Sequence, residues 1–277
     1  MRRIGLVAVA AVALLAASCN RDEQSKRVAE DEHAGHTTAA SSTTASPPAG
    51  VVKYGDASGY LALPAAAPDA KKPALIVIQE WWGVDDWVRS QADRFAGQGY
   101  VALAADLYRG RTAATPEEAH ELSRGLPEDR AMADLKAAVD YLAARPDVDP
   151  NRIGVIGWCM GGGYALALAT ADARVKATVI NYGRLVTDSA AIARINGPVL
   201  GNFGGADRGI PAEDVREFGA SLTKYGKLGD IKIFDDAGHA FMNPNNTQGY
   251  NAAAAQEAWS RIDRFFDRTL RATISNS

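Results

Sequence analysis

The feature that most constrains the fold is a glycine-flanked cysteine between an apolar run and an alanine-rich stretch. Residues 153–157 are apolar and β-branched, which is typical of a buried strand, and residues 164–171 are rich in Ala and Leu, which favours a helix. The junction reads Gly-x-Cys-x-Gly around Cys159, the spacing of a nucleophile elbow with Cys as the nucleophile. Bulky residues beside so sharp a turn would clash, and Gly157 and Gly161 avoid that clash.

A helix that begins at Met160 would place Cys159 at its N-terminal end. Backbone N–H groups and the positive end of the helix dipole stabilise a thiolate and a developing oxyanion at such a position. Two other interpretations of the pattern stay open at this point. They are a glycine-rich turn around a buried, inert Cys, and a phosphate-binding loop.

Strand and helix patterns alternate along the rest of the chain. Predicted strands cover residues 51–54, 59–63, 74–79, 100–104, 153–157, 175–181, 198–203 and 231–234, and predicted helices cover residues 86–96, 127–144, 160–171, 212–225 and 253–270, with another starting at Pro116. The first two strands are predicted to form a hairpin. The alternation indicates an α/β protein with a mostly parallel central sheet and helices on both faces. We predict one domain over residues 51–272, followed by a tail at 273–277.

Asp207 and His239 follow later predicted strands and are the expected partners of Cys159. Sites in parallel sheets form at the carboxyl ends of strands, and both residues lie just beyond such ends. The order Cys, Asp, His is the chain order of α/β-hydrolase triads. In that chemistry the imidazole takes the thiol proton and later protonates the leaving oxygen, while the carboxylate orients the imidazole. His120, the other histidine of the domain, is predicted to lie on a solvated helix face.

The composition of the chain excludes several classes of protein. The 277 residues carry a formal net charge of -3, so no basic excess points to nucleic acid. The two cysteines and four histidines lack the paired spacings of zinc sites.

The N-terminus has the pattern of an export signal. Basic residues precede an apolar run at residues 4–17, which is too short and wrongly flanked for a membrane-spanning helix. The run leads into Cys19 in a sequence that resembles a bacterial lipobox, whose Cys becomes the lipidated first residue of the mature protein. Ordinary signal-peptidase cleavage is the alternative. We predict a signal peptide at residues 1–19, export to the periplasm, and membrane contact only through a lipid anchor at Cys19.

Residues 20–50 separate this signal from the domain. They are dominated by charged residues and then by Ser, Thr, Ala and Pro, without apolar periodicity, which predicts a disordered tether. His33 and His36 lie in this stretch, where a solvated linker is a better explanation for them than a metal site.

Five segments of the domain together resemble the dienelactone hydrolase family. They are Glu80 after an apolar strand, Asp106-Leu107-Tyr108, Gly157-Trp158-Cys159-Met160-Gly161, the turn at Asp207, and Gly238-His239-Ala240-Phe241. The resemblance spans about residues 51–270. It implies an α/β-hydrolase fold and a triad of Cys159, His239 and Asp207. It also implies hydrolysis of small lactones or carboxylic esters through a thioester, with no metal or cofactor.

The resemblance further implies roles for residues around the nucleophile. Glu80 would contact the thiol in the resting enzyme and take part in forming the thiolate, because a nearby carboxylate disfavours a second negative charge. The N–H groups of Met160 and Trp81 would form the oxyanion hole. Trp82 and Tyr182 would lie beside the substrate.

One departure from the family pattern bears on the substrate. Family members that act on dienelactone bind its carboxylate with two arginines. Arg109 and Arg111 are candidates for the first, whereas Asn243 stands where the second is expected. Because a charge-assisted contact of about 1.5–3 kcal/mol is missing, we expect a different ester or lactone as the substrate.

Two alternative functions use the same residues differently. The triad could serve an acyltransferase, a thioesterase or a peptidase. A catalytically silent envelope lipoprotein that binds a small ligand or a partner is the alternative from another class.

Overall fold

The computed structural model describes residues 50–65 and 71–271. The predicted signal peptide with Cys19, residues 20–49 of the predicted tether and the predicted tail lie outside the described residues. Within the described part of the chain, no helix combines the length and the apolar character that a membrane crossing requires.

An eight-stranded sheet forms the centre of the domain. Its strands are β1 (Val51–Tyr54), β2 (Ala57–Ala62), β3 (Lys72–Ile78), β4 (Val101–Asp106), β5 (Val148–Trp158), β6 (Val175–Asn181), β7 (Val199–Gly204) and β8 (Gly229–Phe234). Their order across the sheet is β1-β2-β4-β3-β5-β6-β7-β8. The β1–β2 and β2–β4 pairs are antiparallel, and the pairs from β4 to β8 are parallel. The predicted hairpin and the mostly parallel sheet are confirmed.

Helices cover both faces of this sheet, as predicted. They are α1 (Asp86–Gly97), α2 (Pro116–Arg124), α3 (Glu128–Ala144), α4 (Met160–Ala171), α5 (Ser189–Arg194), α6 (Ala212–Lys224) and α7 (Ala252–Phe266), and a π-helical turn, Asp267–Arg271, continues α7. Apolar residues of α1 and α7 pack together on one face. Those of α3, α4 and α6 pack on the other.

The local sequence explains where several helices begin. Each of α1, α2 and α7 is preceded by a polar residue whose side chain accepts a hydrogen bond from a backbone N–H of the first turn. These residues are Asp85, Thr115 and Asn251.

Between the helices, β3 and β4 are almost wholly buried, which accounts for their continuous apolar sequences. The helices and strands thereby bring the carboxyl ends of β3, β5, β6, β7 and β8 to one edge of the sheet.

Helix α5 is absent from the sequence-based prediction. It contains six residues, too few for a helical periodicity to be recognised. Asp188 caps it, accepting hydrogen bonds from the N–H groups of Ala190 and Ala191, both at 3.1 Å. The helix matters because the segment that leads into it borders the site.

Candidate active site

Cys159 lies between β5 and α4 in a backbone conformation that residues with a side chain seldom adopt. Its φ is 53° and its ψ is -120°. The Cys159 N–H donates to the Asn181 carbonyl at 3.0 Å, and the Cys159 carbonyl accepts from the first turn of α4. A Cβ at Gly157 would lie 2.0 Å from the Gly161 oxygen, and a Cβ at Gly161 would lie 2.4 Å from the Ile78 oxygen. Close packing therefore requires both glycines, as the sequence predicts.

His239 and Asp207 meet at the carboxyl ends of β8 and β7. The His239 Nδ1 atom lies 2.7 Å from the Asp207 Oδ2 atom, and both side chains are buried. The other carboxylate oxygen, Oδ1, accepts from the N–H groups of Gly209 at 2.8 Å and Ile210 at 3.0 Å. Because both carboxylate oxygens are engaged, Asp207 holds the imidazole in one orientation, with Nδ1 as the donor.

The charges around His239 link it to Cys159. Burial alone would lower the pKa of His239, but the charges of Cys159 and Asp207, and hydrogen bonds with both, raise it well above its ordinary value. An imidazole in this environment is suited to hold a proton taken from a thiol. Cys159 itself is partly exposed and forms no disulfide with a described residue.

Glu80 follows β3 and is buried next to the triad. Its Oε2 atom accepts a hydrogen bond from the Asn243 Nδ2 atom at 2.7 Å. Burial raises the pKa of Glu80 to about 7; the Asp85 charge acts in the same direction, whereas the Asn243 hydrogen bond and the His239 charge oppose it. Asn243 therefore binds this carboxylate, a contact that the sequence analysis did not foresee.

Tyr182 packs directly against the imidazole at the carboxyl end of β6. Its ring centre lies 5.3 Å from that of His239 in an edge-to-face arrangement, and its backbone φ is 38°. The side chain is fully buried, and burial, followed by the charges of Glu80 and Cys159, raises the pKa of Tyr182 well above its ordinary value. The hydroxyl therefore stays protonated beside the reacting groups. The predicted location of Tyr182 near the site agrees with this packing.

Trp81 and Trp82 follow Glu80 directly and are both buried. Their rings meet edge-to-face, with centres 5.3 Å apart. Trp81 also contacts His120 edge-to-face at 6.3 Å. The prediction of a solvated His120 is wrong, because the side chain is half-buried where α2 packs over Trp81.

Met160 is the first residue of α4, so its backbone N–H has no carbonyl one turn earlier in that helix. Its sulfur accepts a hydrogen bond from the Tyr108 hydroxyl at 3.3 Å. Met160 directly follows Cys159, the position that an oxyanion donor takes in a nucleophile elbow, and its role as that donor stays a prediction.

The two arginines proposed from the resemblance lie beyond the Asp106-Leu107-Tyr108 segment. The Arg109 Nη2 atom lies 3.4 Å from the Asp134 carboxylate on α3, and Arg111 is exposed. The structure gives neither of them a contact with Cys159, and their roles in substrate binding stay predictions.

A different arginine, Arg184, borders a cavity of about 450 Å³ that reaches Met160. Its place two residues beyond Tyr182, at a strand end, is the signal that could have identified it.

The described residues contain no group of three or more His, Cys, Asp or Glu side chains that could hold a metal ion.

Comparison with known proteins places this chain in a family. The model of the dienelactone hydrolase family matches residues 57–270. A protein of Methylorubrum extorquens with the provisional name carboxymethylenebutenolidase is 34% identical over 221 residues, covering 75% of this chain and 75% of that protein.

Two crystal structures extend the comparison. One, of a provisionally named dienelactone hydrolase from Klebsiella pneumoniae, has a TM-score of 0.68 and 30% identity, covering 76% of this chain and 93% of that one. The other, a dienelactone hydrolase-like promiscuous phosphotriesterase from metagenomic libraries, has a TM-score of 0.71 and 26% identity, covering 79% of this chain and 97% of that one. The predicted α/β-hydrolase fold is confirmed, and the chain belongs to the dienelactone hydrolase family.

Proposed function

We propose that the protein hydrolyses small lactones or carboxylic esters with Cys159 as the nucleophile, His239 as the proton carrier and Asp207 as the orienting group. The observation that carries the proposal is the 2.7 Å contact between His239 Nδ1 and the buried Asp207 carboxylate. This contact fixes the orientation of the His239 imidazole. The imidazole in turn interacts with the Cys159 thiol at the turn between β5 and α4. This arrangement supports nucleophilic catalysis.

The first half of the reaction forms a thioester. The Cys159 thiol proton passes to His239 Nε2, and the sulfur attacks the acyl carbon. The N–H of Met160, together with that of Trp81, stabilises the oxyanion of the tetrahedral intermediate. As the C–O bond breaks, the imidazolium returns its proton to the leaving oxygen.

The second half restores the enzyme. His239 removes a proton from water, and the resulting hydroxide attacks the thioester carbon. The carbon–sulfur bond breaks, the acid leaves, and Cys159 regains its proton. In the resting enzyme, an ionised Glu80 would disfavour the thiolate until substrate binds.

The test compares the wild type with Cys159→Ala on aryl esters and small lactones. We expect the variant to lose turnover, and intact-mass measurement to detect the acyl group on the wild-type protein only. Equal rates in both proteins with no adduct would sink the proposal.

Two further outcomes would indicate the alternative functions. An added alcohol or amine that captures the acyl group in preference to water would indicate an acyltransferase. A silent lipoprotein predicts no turnover and alkylation of Cys159 at a rate unaffected by His239→Ala.

We also propose that the full chain is exported and anchored through Cys19. The support is the basic and apolar pattern of the N-terminus. Cell fractionation of the full chain and of Cys19→Ser tests the anchor: we expect the wild type in the membrane fraction and the variant outside it. Equal distribution of both proteins would contradict lipidation, and recovery of both from the cytoplasm would contradict export.

A further inference from the structure

Two buried asparagines lie behind the elbow, side by side on neighbouring strands. Asn181 is the last residue of β6 and is paired in register with Asn202 on β7, and both side chains are fully buried. The Asn202 Nδ2 atom donates to the Asn181 Oδ1 atom at 2.9 Å. The Asn181 Nδ2 atom in turn donates to the Gly157 carbonyl at 3.2 Å. This amide chain, made of the side chains of Asn181 and Asn202, therefore connects β7 with the end of the strand that leads into the elbow.

The backbones of the same two residues hold two strained positions of the site. The Asn181 carbonyl accepts from the Cys159 N–H at 3.0 Å, and the Asn202 carbonyl accepts from the Tyr182 N–H at 2.8 Å. Cys159 and Tyr182 have φ values of 53° and 38°, which residues with a Cβ seldom adopt. Such conformations persist only where the surrounding structure maintains them. Asn181 and Asn202 supply contacts of this kind to the nucleophile and to the ring that packs on His239.

Arg261 on α7 determines the direction of the amide chain. Its Nε atom donates to the Asn202 Oδ1 atom at 3.0 Å, and its Nη2 atom donates to the Asp230 carbonyl at 3.0 Å and carboxylate at 2.9 Å. A guanidinium can only donate hydrogen bonds, so it faces the oxygen of the Asn202 amide and leaves the nitrogen for Asn181. At the other end, the Gly157 carbonyl can only accept, so it faces the nitrogen of the Asn181 amide. The two ends therefore fix both amides in one orientation.

We propose that Asn181, Asn202 and Arg261 are positioning residues for the hydrolysis, because they hold the elbow in the geometry that attack on the acyl carbon requires. The inference rests on the proposed function and adds to it three residues outside the triad. The elbow carries the nucleophile and the predicted oxyanion donor, Met160, so a displacement would move both relative to the acyl group. A shift of ~1 Å in a reacting group can cost about 100-fold in rate. We therefore expect substitutions along this path to lower kcat with little change in KM.

Asn202→Asp tests the orientation of the amide chain with almost no change in side-chain shape. A carboxylate still accepts from Arg261 but cannot donate, so the Asn181 amide has to turn its nitrogen towards residue 202. The Asn181 oxygen then faces the Gly157 carbonyl, and two acceptors repel each other. We expect kcat for an aryl ester to fall by about tenfold, with KM within about twofold of the wild-type value. Rates are measured at a temperature at which thermal melts show every variant to be fully folded, so a loss of stability alone leaves kcat unchanged.

Arg261→Met and Arg261→Lys provide a second test, which places no additional acid in the core. Without the guanidinium the Asn202 amide can turn over, so kcat should fall by about threefold to tenfold in Arg261→Met. Arg261→Lys keeps a cation that only donates, and it should recover most of the wild-type kcat.

Arg94→Met is the matched control for the loss of an arginine at α7. Arg94 lies on α1 and donates to both oxygens of Asp263 on α7, at 3.0 and 2.8 Å. Its guanidinium also lies 4.2 Å from the centre of the Trp259 ring. Because these contacts join helices without bonding to the amide chain, Arg94→Met should lower the melting temperature and leave kcat unchanged.

The outcomes separate the inference from the proposed function. A wild-type kcat in Asn202→Asp and Arg261→Met, or an equal loss of kcat in Arg94→Met and Arg261→Met, would overturn the inference while leaving esterase activity intact. Absence of turnover and of an acyl adduct in the wild type would count against the proposed function. The rate of Cys159 alkylation by iodoacetamide needs no turnover: it should change by about threefold or more in Asn202→Asp but not in Arg94→Met. Equal alkylation rates in the wild type and Asn202→Asp would contradict positioning of the elbow by the amide chain.

Discussion

The two halves of the site differ in how their polar groups are held. Around His239, the Asp207 and Glu80 carboxylates are buried, with hydrogen bonds of 2.7 Å to His239 and Asn243. Around Tyr164, the Glu128 and Arg184 side chains are exposed. The first half is fixed by contacts between loops, whereas these two charged groups of the second half face solvent.

This difference distinguishes the side chains that would carry out the reaction from those that line the cavity and face solvent. Proton transfer needs heavy atoms held at hydrogen-bonding distance, which buried and hydrogen-bonded groups provide. A charged group in water can change its partner at small cost, because exposed ion pairs contribute about 0–1 kcal/mol. We therefore expect substitutions in the buried half to have large effects on every substrate, and those in the cavity to have small effects.

The largest expected effect is that of Asp207→Asn. Loss of the carboxylate removes the group that orients the imidazole and stabilises its protonated form, so kcat should fall by about 10³–10⁴-fold on all esters. Asp235→Asn is the matched control, since Asp235 is an exposed carboxylate in the loop before His239. Steady-state kinetics on an aryl ester is the measurement. A fall in kcat of less than tenfold in Asp207→Asn, or an equal fall in Asp207→Asn and Asp235→Asn, would contradict the difference between the two halves.

Glu80→Gln should change how stability depends on pH. The pKa of Glu80 in the folded state is about 7, above its ordinary value of 4.5, so folding favours the protonated form. This contribution to stability is complete below pH 4.5 and is lost as the pH rises through about 7. The free energy of unfolding of Glu80→Gln, relative to wild type, should therefore increase between pH 4 and pH 8 by on the order of 2–4 kcal/mol.

Urea unfolding at several pH values measures this difference, with Glu117→Gln as the control. Glu117 is an exposed glutamate in the first turn of α2, and its variant should follow the wild type across the pH range. A constant difference between Glu80→Gln and wild type would show that Glu80 ionises as it does in the unfolded chain.

Asn243→Ala should have an intermediate effect. The hydrogen bond from Asn243 opposes the rise in the pKa of Glu80, so its loss should raise that pKa further. A bond of this type contributes about 1.5–3 kcal/mol, so in urea unfolding the pH at which the stabilising contribution of protonated Glu80 is lost should rise by about one pH unit. Asn245→Ala is the control, because Asn245 lies in the same loop and only its backbone N–H bonds to Asn243. An unchanged pH dependence in Asn243→Ala would mean that the Asn243 hydrogen bond does not affect the ionisation of Glu80.

The smallest expected effect is that of Tyr164→Phe. Removing one partly solvated hydroxyl from the cavity lining should lower kcat/KM for aryl esters by about twofold to threefold. Tyr250→Phe is the control, because Tyr250 is exposed and does not line the cavity. A loss above tenfold in Tyr164→Phe would indicate that Tyr164 belongs to the reaction half.

Much of the site could be predicted because its parts have strong local patterns. Gly157 and Gly161 mark the elbow, and Asp207 and His239 follow apolar runs that become β7 and β8. Cys159 could be predicted as the elbow residue from its neighbours in the sequence alone. Strand ends in a parallel sheet converge by topology, so the sequence order of these residues was enough to predict that they meet.

The remaining contacts depend on distances along the chain that no local pattern encodes. Glu80 and Asn243 are 163 residues apart, and only the folded structure brings them to 2.7 Å. His120 has a polar sequence context, but its packing on Trp81 comes from the position of α2 over the end of β3. Arg184 lies in a connection without periodicity, and before the cavity is seen only its place two residues beyond Tyr182 marks it.

The close approach of α4 to β3 at Gly161 has a consequence for how the protein can evolve. There α4 packs against the main-chain oxygen of Ile78, at the end of the strand that precedes Glu80, with no side chain between them. The spacing of these two segments therefore does not depend on the side chains at residues 184–188. Mutations in that stretch can alter which substrates are accepted while the reaction centre keeps its dimensions, so selectivity and reactivity can evolve on separate parts of the chain.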